Sequence, residues 1–191
     1  MKHPFNPLIF KSTRKLLIGT LPPEGVDFYF SNSSNTRLWD ILQAIYLGND
    51  VVGRGGNLLS KKEKNAVVEG LGIGISDIIY EYQREVESST QDAHIIPVEY
   101  KNLLELAVEH GIKEFLFVYS SAYKWFLHSL TGNVPVVLRS LRGANKVGEL
   151  EVFLYKGLSI KCVLVPSPLN RGRKGETMLS KLEVYRRYIL G

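Results

Sequence analysis

The side chains able to do chemistry gather in three short stretches of this 191-residue chain. The first is Gly19-Thr20-Leu21-Pro22-Pro23, followed by Phe28-Tyr29-Phe30 and Asn35. The second is Gly72-Ile73-Gly74-Ile75-Ser76-Asp77-Ile78. The third is Val165-Pro166-Ser167-Pro168-Leu169-Asn170-Arg171, with Arg173 and Lys174 just beyond it. Together they hold a carboxylate, an amide, flat aromatic rings, one leucine set between a proline and an asparagine, and a basic cluster. Several common chemistries are missing. Ser167 has no G-x-S-x-G elbow around it, so a hydrolase triad is not expected. His3, His94, His110 and His128 show no metal-ligand spacing and read as surface or satisfied residues. Gly53 to Gly56 lacks the Lys-Ser/Thr of a phosphate loop and reads as a flexible turn. Cys162 lies in the apolar run Leu158 to Val165, which suits a buried structural thiol. As the one cysteine it excludes a disulfide framework and a four-cysteine iron–sulfur cluster within the chain.

The elements that must position these stretches follow from spacing. Lys15 to Thr20 reads as a short buried strand stopped by Pro22-Pro23. Thr36 to Leu47 has apolar residues at Leu38, Ile41, Leu42 and Ile45, a helical spacing, and Asn32-Ser33-Ser34-Asn35 offers candidate N-caps. Ser60 to Gly70 reads as a polar helix with a glycine stop. Gly72 to Ile79 is a second strand. Tyr80 to Ile96 is mixed and polar and carries no firm element. Glu99 to His110 reads as an amphipathic helix closed by Gly111, Glu114 to Tyr119 as a third buried strand, and Ser120 to Leu130 as a serine-capped helix. Glu149 to Tyr155 and Leu158 to Val165 read as strands around a Lys156-Gly157 turn, and Glu176 to Leu190 as a terminal helix. Strands alternating with helices predict an α/β fold, a three-layer α/β/α sandwich with a mainly parallel central sheet. In such sheets the site lies beyond the carboxyl ends of the strands. The loops after Thr20, around Asp77 and after Val165 all leave those ends.

A chain of this length buries about 70% of the surface it exposes when unfolded, enough for a proper core. No internal repeat, low-complexity tract or linker interrupts it, so residues 1–191 are expected to form one domain. The formal net charge of +5 favours an anionic partner. No stretch approaches the ~18 continuous apolar residues of a membrane span. Met1 to Phe10 lacks the apolar region of a signal peptide. The expectation is an intracellular, cytoplasmic, soluble protein that acts as a monomer and has no membrane partner.

Taken together, the three stretches resemble the uracil-DNA glycosylase superfamily over roughly residues 15 to 190. The first is similar to its strand-end motif, in which glycine and proline surround the attacking water and an aromatic that stacks on the flipped base follows. The last is similar to the family's HPSPL motif, whose loop enters the minor groove. The middle is similar to the strand that reads the base edge in the thymine and hypoxanthine-DNA glycosylases. Two positions depart from the common pattern. Leu21 stands where many relatives place an Asp or Asn that positions water, and Val165 where many place a His or Asn that stabilises the departing base. The hypoxanthine-DNA glycosylase branch lacks both residues and uses an Asn just before the first helix. Asn35 occupies that place, with one extra residue between it and Trp39. The segment Asp77 to Asp92, with Arg84, Ser89 and Asp92, resembles that branch as well.

The resemblance implies excision of a deaminated base (uracil, hypoxanthine or similar) from DNA, with no metal and no cofactor. A base inside a duplex cannot be attacked and must be flipped into a pocket. On this reading Asn35 orients the water, and Thr20, Leu21, Pro22, Phe30, Asp77 and Ser167 line the base site. Phe30 stacks on the base and Asp77 accepts from its ring N–H groups. Leu169 fills the vacated stack as an apolar wedge. Asn170, Arg171, Arg173 and Lys174 meet DNA, the basic three through phosphates. Plainer readings stand beside these. Asn35 as an N-cap, Phe28 and Phe30 as core aromatics, Asp77 as a turn cap, Leu169 as an ordinary loop residue and the basic cluster as solvated charge would each leave the same residues in place. Beyond a glycosylase, a DNA-binding member of the fold without catalysis and an unrelated nucleotide-processing α/β enzyme remain open.

Overall fold

The computed structural model describes residues 1–23, 25–31, 36–86, 92–130, 136–140, 147–170 and 176–191; of residues 57 and 136–140 it describes the backbone only. The central sheet has six strands: β1 (Lys15–Gly19), β2 (Ile73–Asp77), β5 (Glu114–Phe117), β6 (Val136–Ser140), β7 (Gly148–Tyr155) and β8 (Leu158–Leu164). Their order is β2-β1-β5-β8-β7-β6. The first four run parallel, and β7 is antiparallel to both β8 and β6. Two further strands, β3 (Ile79–Arg84) and β4 (Ile95–Tyr100), form a separate antiparallel pair.

The period-2 alternation of the buried strands sorts the core into two layers. Leu16, Ile18, Phe115, Phe117, Cys162 and Leu164 face one way, towards α3 (Leu103–His110) and α4 (Ser120–Ser129). Leu17, Leu116, Val118, Val163 and Val165 face the other way. There they meet α1 (Leu38–Tyr46), α2 (Lys61–Gly70) and α5 (Met178–Leu190). The expected α/β/α sandwich is therefore what forms. The chain leaves β1 towards β2 across one face and returns from β2 to β5 across the other. The reversal puts a topological switch at the carboxyl end of β1, the place where such sheets hold ligands in a crevice. Cys162 is fully buried, and burial pushes its thiol up, as a structural thiol requires.

Several expectations are corrected. The segment expected to carry no element holds the β3–β4 pair. Its register shifts between Ile79, Glu81 and Tyr82 break the alternation that would have revealed it. The β6 edge strand was also not foreseen; it has one neighbour and five residues. The helix expected from Glu99 begins at Leu103, because Asn102 caps it and the preceding residues belong to β4. The N-cap of α1 is Arg37, so the N-cap reading of Asn35 falls; residues 32–35 lie outside the described residues. The N-cap of α4 is Tyr119, with no side-chain cap, and Ser121 is used elsewhere. Ser60 and Thr177 do cap α2 and α5, each through a capping box.

Arg37 ties two loops to the start of α1. Its backbone N–H donates to Pro168 O at 2.8 Å. Its guanidinium bonds Asp40 at 2.8 Å and donates to the carbonyls of Val52 and Gly53. Asp40 in turn accepts from the Gly56 N–H at 2.8 Å. The glycine-rich stretch is therefore pinned, not a flexible turn. A Cβ on Gly56 would run into the backbone of Trp39 and Asp40, which cannot yield as a side-chain tip can. Gly56→Ala should cost at least about 1–3 kcal/mol, the usual range for overpacking. Urea unfolding checks this, and an unchanged midpoint would mean the loop does not sit on α1.

Candidate functional site

Gly19 ends β1 at that switch point, paired in register with Asp77 across β1 and β2. Asp77 is 3% exposed. A Cβ on Gly19 would stand 2.7 Å from Phe30 Cζ and closer still to Asp77 Oδ1. The carboxylate and the ring edge thus pack directly against bare backbone, an approach that only glycine permits. Of the three aromatics, Phe28 and Tyr29 are core residues: Phe28 packs on Trp39 with ring centroids 5.7 Å apart, and the Trp39 indole donates to Tyr29 O at 2.8 Å. Phe30 is half-buried and has φ of 52°, a left-handed conformation rare for a residue with a bulky side chain. The core reading therefore holds for Phe28, while half-buried Phe30 packs against the same core cluster and reaches Gly19 with its ring edge.

Asp77 is held from behind by residues distant in sequence. His3 Nε2 lies 2.9 Å from Asp77 Oδ2, and the His3 side chain is fully buried. Lys101 Nζ lies 3.3 Å from His3 Nδ1 and donates to Phe5 O at 3.2 Å. Burial pushes the Lys101 ammonium down to about 8, with the charge of Asp77 opposing the shift. The Tyr29 hydroxyl donates to Asn6 O at 2.9 Å, and burial next to Asp77 pushes its pKa far up.

A second polar wall stands beside this one. Thr20 is buried, and its hydroxyl, with that of Ser121, hydrogen-bonds the Asp92 carboxyl. Burial raises the pKa of Asp92, the charge of Asp77 adds to the rise, and the two hydroxyls oppose it. Tyr119, hydrogen-bonded by Thr36, is also driven far up by burial and by the charges of Asp92 and Asp77. Pro22 is buried, and Leu21 is half-buried against the core. Val165 is a buried core residue. The two positions at which a polar group might have been sought are therefore packing positions.

The third stretch is a clamped loop. Pro166 O accepts from the Tyr185 hydroxyl at 2.9 Å and Pro168 O from the Arg37 N–H at 2.8 Å. Leu169 forms a bridge with Thr36, and its carbonyl accepts from Lys181 Nζ at 2.7 Å. Lys181 is 1% exposed, and burial pushes its pKa down. The backbone is fixed by four partners, yet the Leu169 side chain is 37% exposed. Half-buried Ser167 accepts from the Leu169 N–H at 3.5 Å, and Asn170 is exposed. Asn35, Arg171, Arg173 and Lys174 lie outside the described residues. A cavity of about 630 Å³ lies to the side, under α3 and α4, lined by residues including Tyr100, Leu104 and Phe126. Lys101 borders it, but none of the predicted site residues does.

Two groups in the site had no signal in the sequence as a pattern. His3 sits 74 residues from Asp77 in the chain, and Lys101 sits 98 from His3. Asp92 was visible through the family resemblance alone. Among the described residues, no group of three or more His, Cys, Asp or Glu is placed to hold a metal ion, and no helix is long and apolar enough to cross a membrane.

The arrangement of the sheet matches a solved structure from end to end. It is the solution NMR structure of a protein from Methanosarcina acetivorans called a "putative Uracil DNA glycosylase". The match covers 100% of this chain and 99% of that one, with a TM-score of 0.61 and 16% sequence identity. The two chains share one fold. No family model matches this chain, and no curated protein does.

Lys101 gives the site a pH signature in stability. Its pKa is about 8 in the folded protein against 10.5 for an unperturbed lysine. Between those values the unfolded chain binds the extra proton, so stability rises with pH there and the full penalty is present below pH 8. Lys101→Met removes the group. Its stability relative to wild type should fall by as much as ~3 kcal/mol between pH 7 and pH 10.5. Urea unfolding of both proteins at the two pH values measures this. A difference that does not change with pH would mean Lys101 is solvated.

Proposed function

We propose that this protein is a monofunctional DNA glycosylase that flips a deaminated base out of DNA and hydrolyses its N-glycosidic bond. The observation that carries the reading is the convergence of the Asp77 carboxylate and the Phe30 ring edge over Gly19, at the carboxyl end of β1. A flipped base needs a flat platform and a polar group for its edge, and here an aromatic ring and a carboxylate stand side by side. Exposed Leu169, on a loop fixed by Arg37, Lys181, Tyr185 and Thr36, supplies a stiff apolar wedge for the vacated stack. The shared fold with the Methanosarcina protein supports the same reading.

In this mechanism DNA is the partner, and one chain acts alone in the cytoplasm. Arg171, Arg173 and Lys174, together with Asn170, hold the backbone, and the phosphate contacts make affinity fall as salt rises. Phe30 stacks on the base, Asp77 accepts from its ring N–H, and Thr20, Leu21, Pro22 and Ser167 close the pocket. Asn35 orients the attacking water through its amide. The leaving base gathers negative charge in the transition state, which fixed N–H and O–H donors stabilise. Release of uracil, hypoxanthine, xanthine or mismatched thymine from single- and double-stranded oligonucleotides tests the proposal, and absence of release from all of them sinks it.

A second reading is favoured by one observation: Leu21 and Val165 contribute only packing. It makes the protein a DNA-binding module of this fold without catalysis. Turnover that disappears in Asn35→Ala would exclude it.

Leu169 and Phe30 have separate jobs in the proposed mechanism, and kinetics can separate them. Unstacking a base costs a few kcal/mol in duplex DNA and least in single strands. Leu169→Ala should therefore lower activity on duplex DNA much more than on single strands. Phe30→Ala removes a stacking platform worth roughly 1–3 kcal/mol and should weaken both substrates about equally. Equal losses for Leu169→Ala on the two substrates would make Leu169 a packing residue.

A further inference from the structure

The buried histidine behind Asp77 is held by both its backbone and its ring. Its backbone N–H donates to Tyr80 O at 2.7 Å, and the Tyr82 N–H donates to Met1 O at 2.9 Å, so the segment pairs with β3. Leu8 and Ile75 exchange both backbone hydrogen bonds, which fixes the segment against β2 as well. The imidazole stacks on Tyr29 with centroids 5.9 Å apart and meets Phe5 edge-on at 5.8 Å.

The partners decide the tautomer. His3 Nδ1 faces two donors, the Phe5 N–H at 3.0 Å and Lys101 Nζ at 3.3 Å. Phe5 O, 2.8 Å from Nδ1, has a donor of its own in Lys101 Nζ at 3.2 Å. A proton on Nδ1 would oppose the Phe5 N–H and the lysine ammonium. Two donors against one acceptor at Nδ1 favour the tautomer with the proton on Nε2, from which it would be donated to Asp77 Oδ2, 2.9 Å away. With Oδ2 tied down, Oδ1 is the oxygen left over Gly19 beside Phe30. The other ionisable groups acting on Asp77 or acted on by it are Asp92, Tyr29, Tyr119 and Lys101.

We propose that His3 is a positioning residue that fixes Asp77 as a hydrogen-bond acceptor, with Lys101 fixing the imidazole tautomer, so that the site selects bases carrying a ring N–H beside a carbonyl. This rests on the base-excision reading and names the edge it selects. Deamination turns a ring nitrogen that accepts, as in cytosine and adenine, into a ring N–H that donates, as in uracil and hypoxanthine. A fixed carboxylate oxygen attracts the second and repels the first. Thymine and guanine share the donating edge, so this device selects an edge and not a single base. A carboxyl released from His3 could turn, and the repulsion of the undamaged edge would be lost.

Three measurements test this. Long-range ¹⁵N–¹H NMR of the wild-type protein should show His3 as the Nε2–H tautomer, with a slowly exchanging proton whose resonance changes in Asp77→Asn. His3→Phe keeps a ring against Phe5 and Tyr29 but removes the donor. It should raise KM for a single-stranded uracil oligonucleotide about 10- to 100-fold, with a smaller change in kcat, as expected for a lost hydrogen bond to a charged group. Free uracil should inhibit the wild type more strongly than free cytosine, and His3→Phe should erase that difference. His3→Gln, whose amide N–H can reach the same oxygen, should recover most of both effects. An Nδ1–H tautomer, or His3→Phe with unchanged KM and inhibition, overturns the proposal. If His3→Phe does not fold, the tautomer and the His3→Gln kinetics still decide. Wild-type protein that releases no base overturns the glycosylase reading and the selectivity with it, whereas an Nε2–H tautomer in that protein would leave the hold on Asp77 standing.

Discussion

Asp77 places a carboxylate at the end of β2, the first strand of the sheet, with almost no contact to solvent, and much of the site is arranged around that burial. A buried carboxylate without partners would cost many kcal/mol, so a donor has to be built against it. His3 is that donor, and Lys101 stands behind it. The donor can reach Asp77 because the first residues of the chain lie along β3 and β2 as an added edge segment. The same carboxylate leaves no room for a side chain on the neighbouring strand, which is why residue 19 is a glycine. Its field also reaches Tyr29, Tyr119 and Asp92, whose pKa values all move up.

The other half of the crevice depends on backbone carbonyls that need donors. The loop after β8 contains two prolines and makes no ladder of its own, so its carbonyls are satisfied from outside. Tyr185 and Lys181 of α5 reach Pro166 and Leu169, and the Arg37 N–H reaches Pro168. Because Arg37 also holds Val52 and Gly53, the loop bearing Leu169 and the glycine loop share one anchor at the start of α1. Lys181 is an amine buried at 1% exposure, and its hydrogen bond to Leu169 O and its ion pair with Glu176 at 3.9 Å offset the cost of that burial.

The fold was largely legible because its signals are local. Buried strands such as Leu16 to Ile18 and Phe115 to Phe117 are continuous apolar runs, and α1 and α3 carry a 3.6-residue period; both report which side of an element faces the core. Where the period failed, so did the expectation. The β3–β4 pair has register shifts and a proline at position 97, and β4 leaves Ile96 and Val98 exposed, so no alternation marks it. The start of α3 was misplaced for the same reason, since Glu99 and Tyr100 belong to a strand that has no clear pattern.

By itself the sequence determined the three-layer order and the three strand-end stretches, with Gly19, Phe30, Asp77 and Leu169 as candidates within them. Those follow from near-neighbour periodicity and from residue types that are unusual beside a strand. Only the tertiary structure decided that Phe28 and Tyr29 are core residues while Phe30, at a left-handed φ, is half-buried with its ring edge against Gly19. Only it assigned His3 and Lys101 to Asp77, and Arg37 and Lys181 to the Leu169 loop. Each of those contacts joins residues far apart in the chain, and a hydrogen bond between distant residues leaves no period or motif in one sequence to be read.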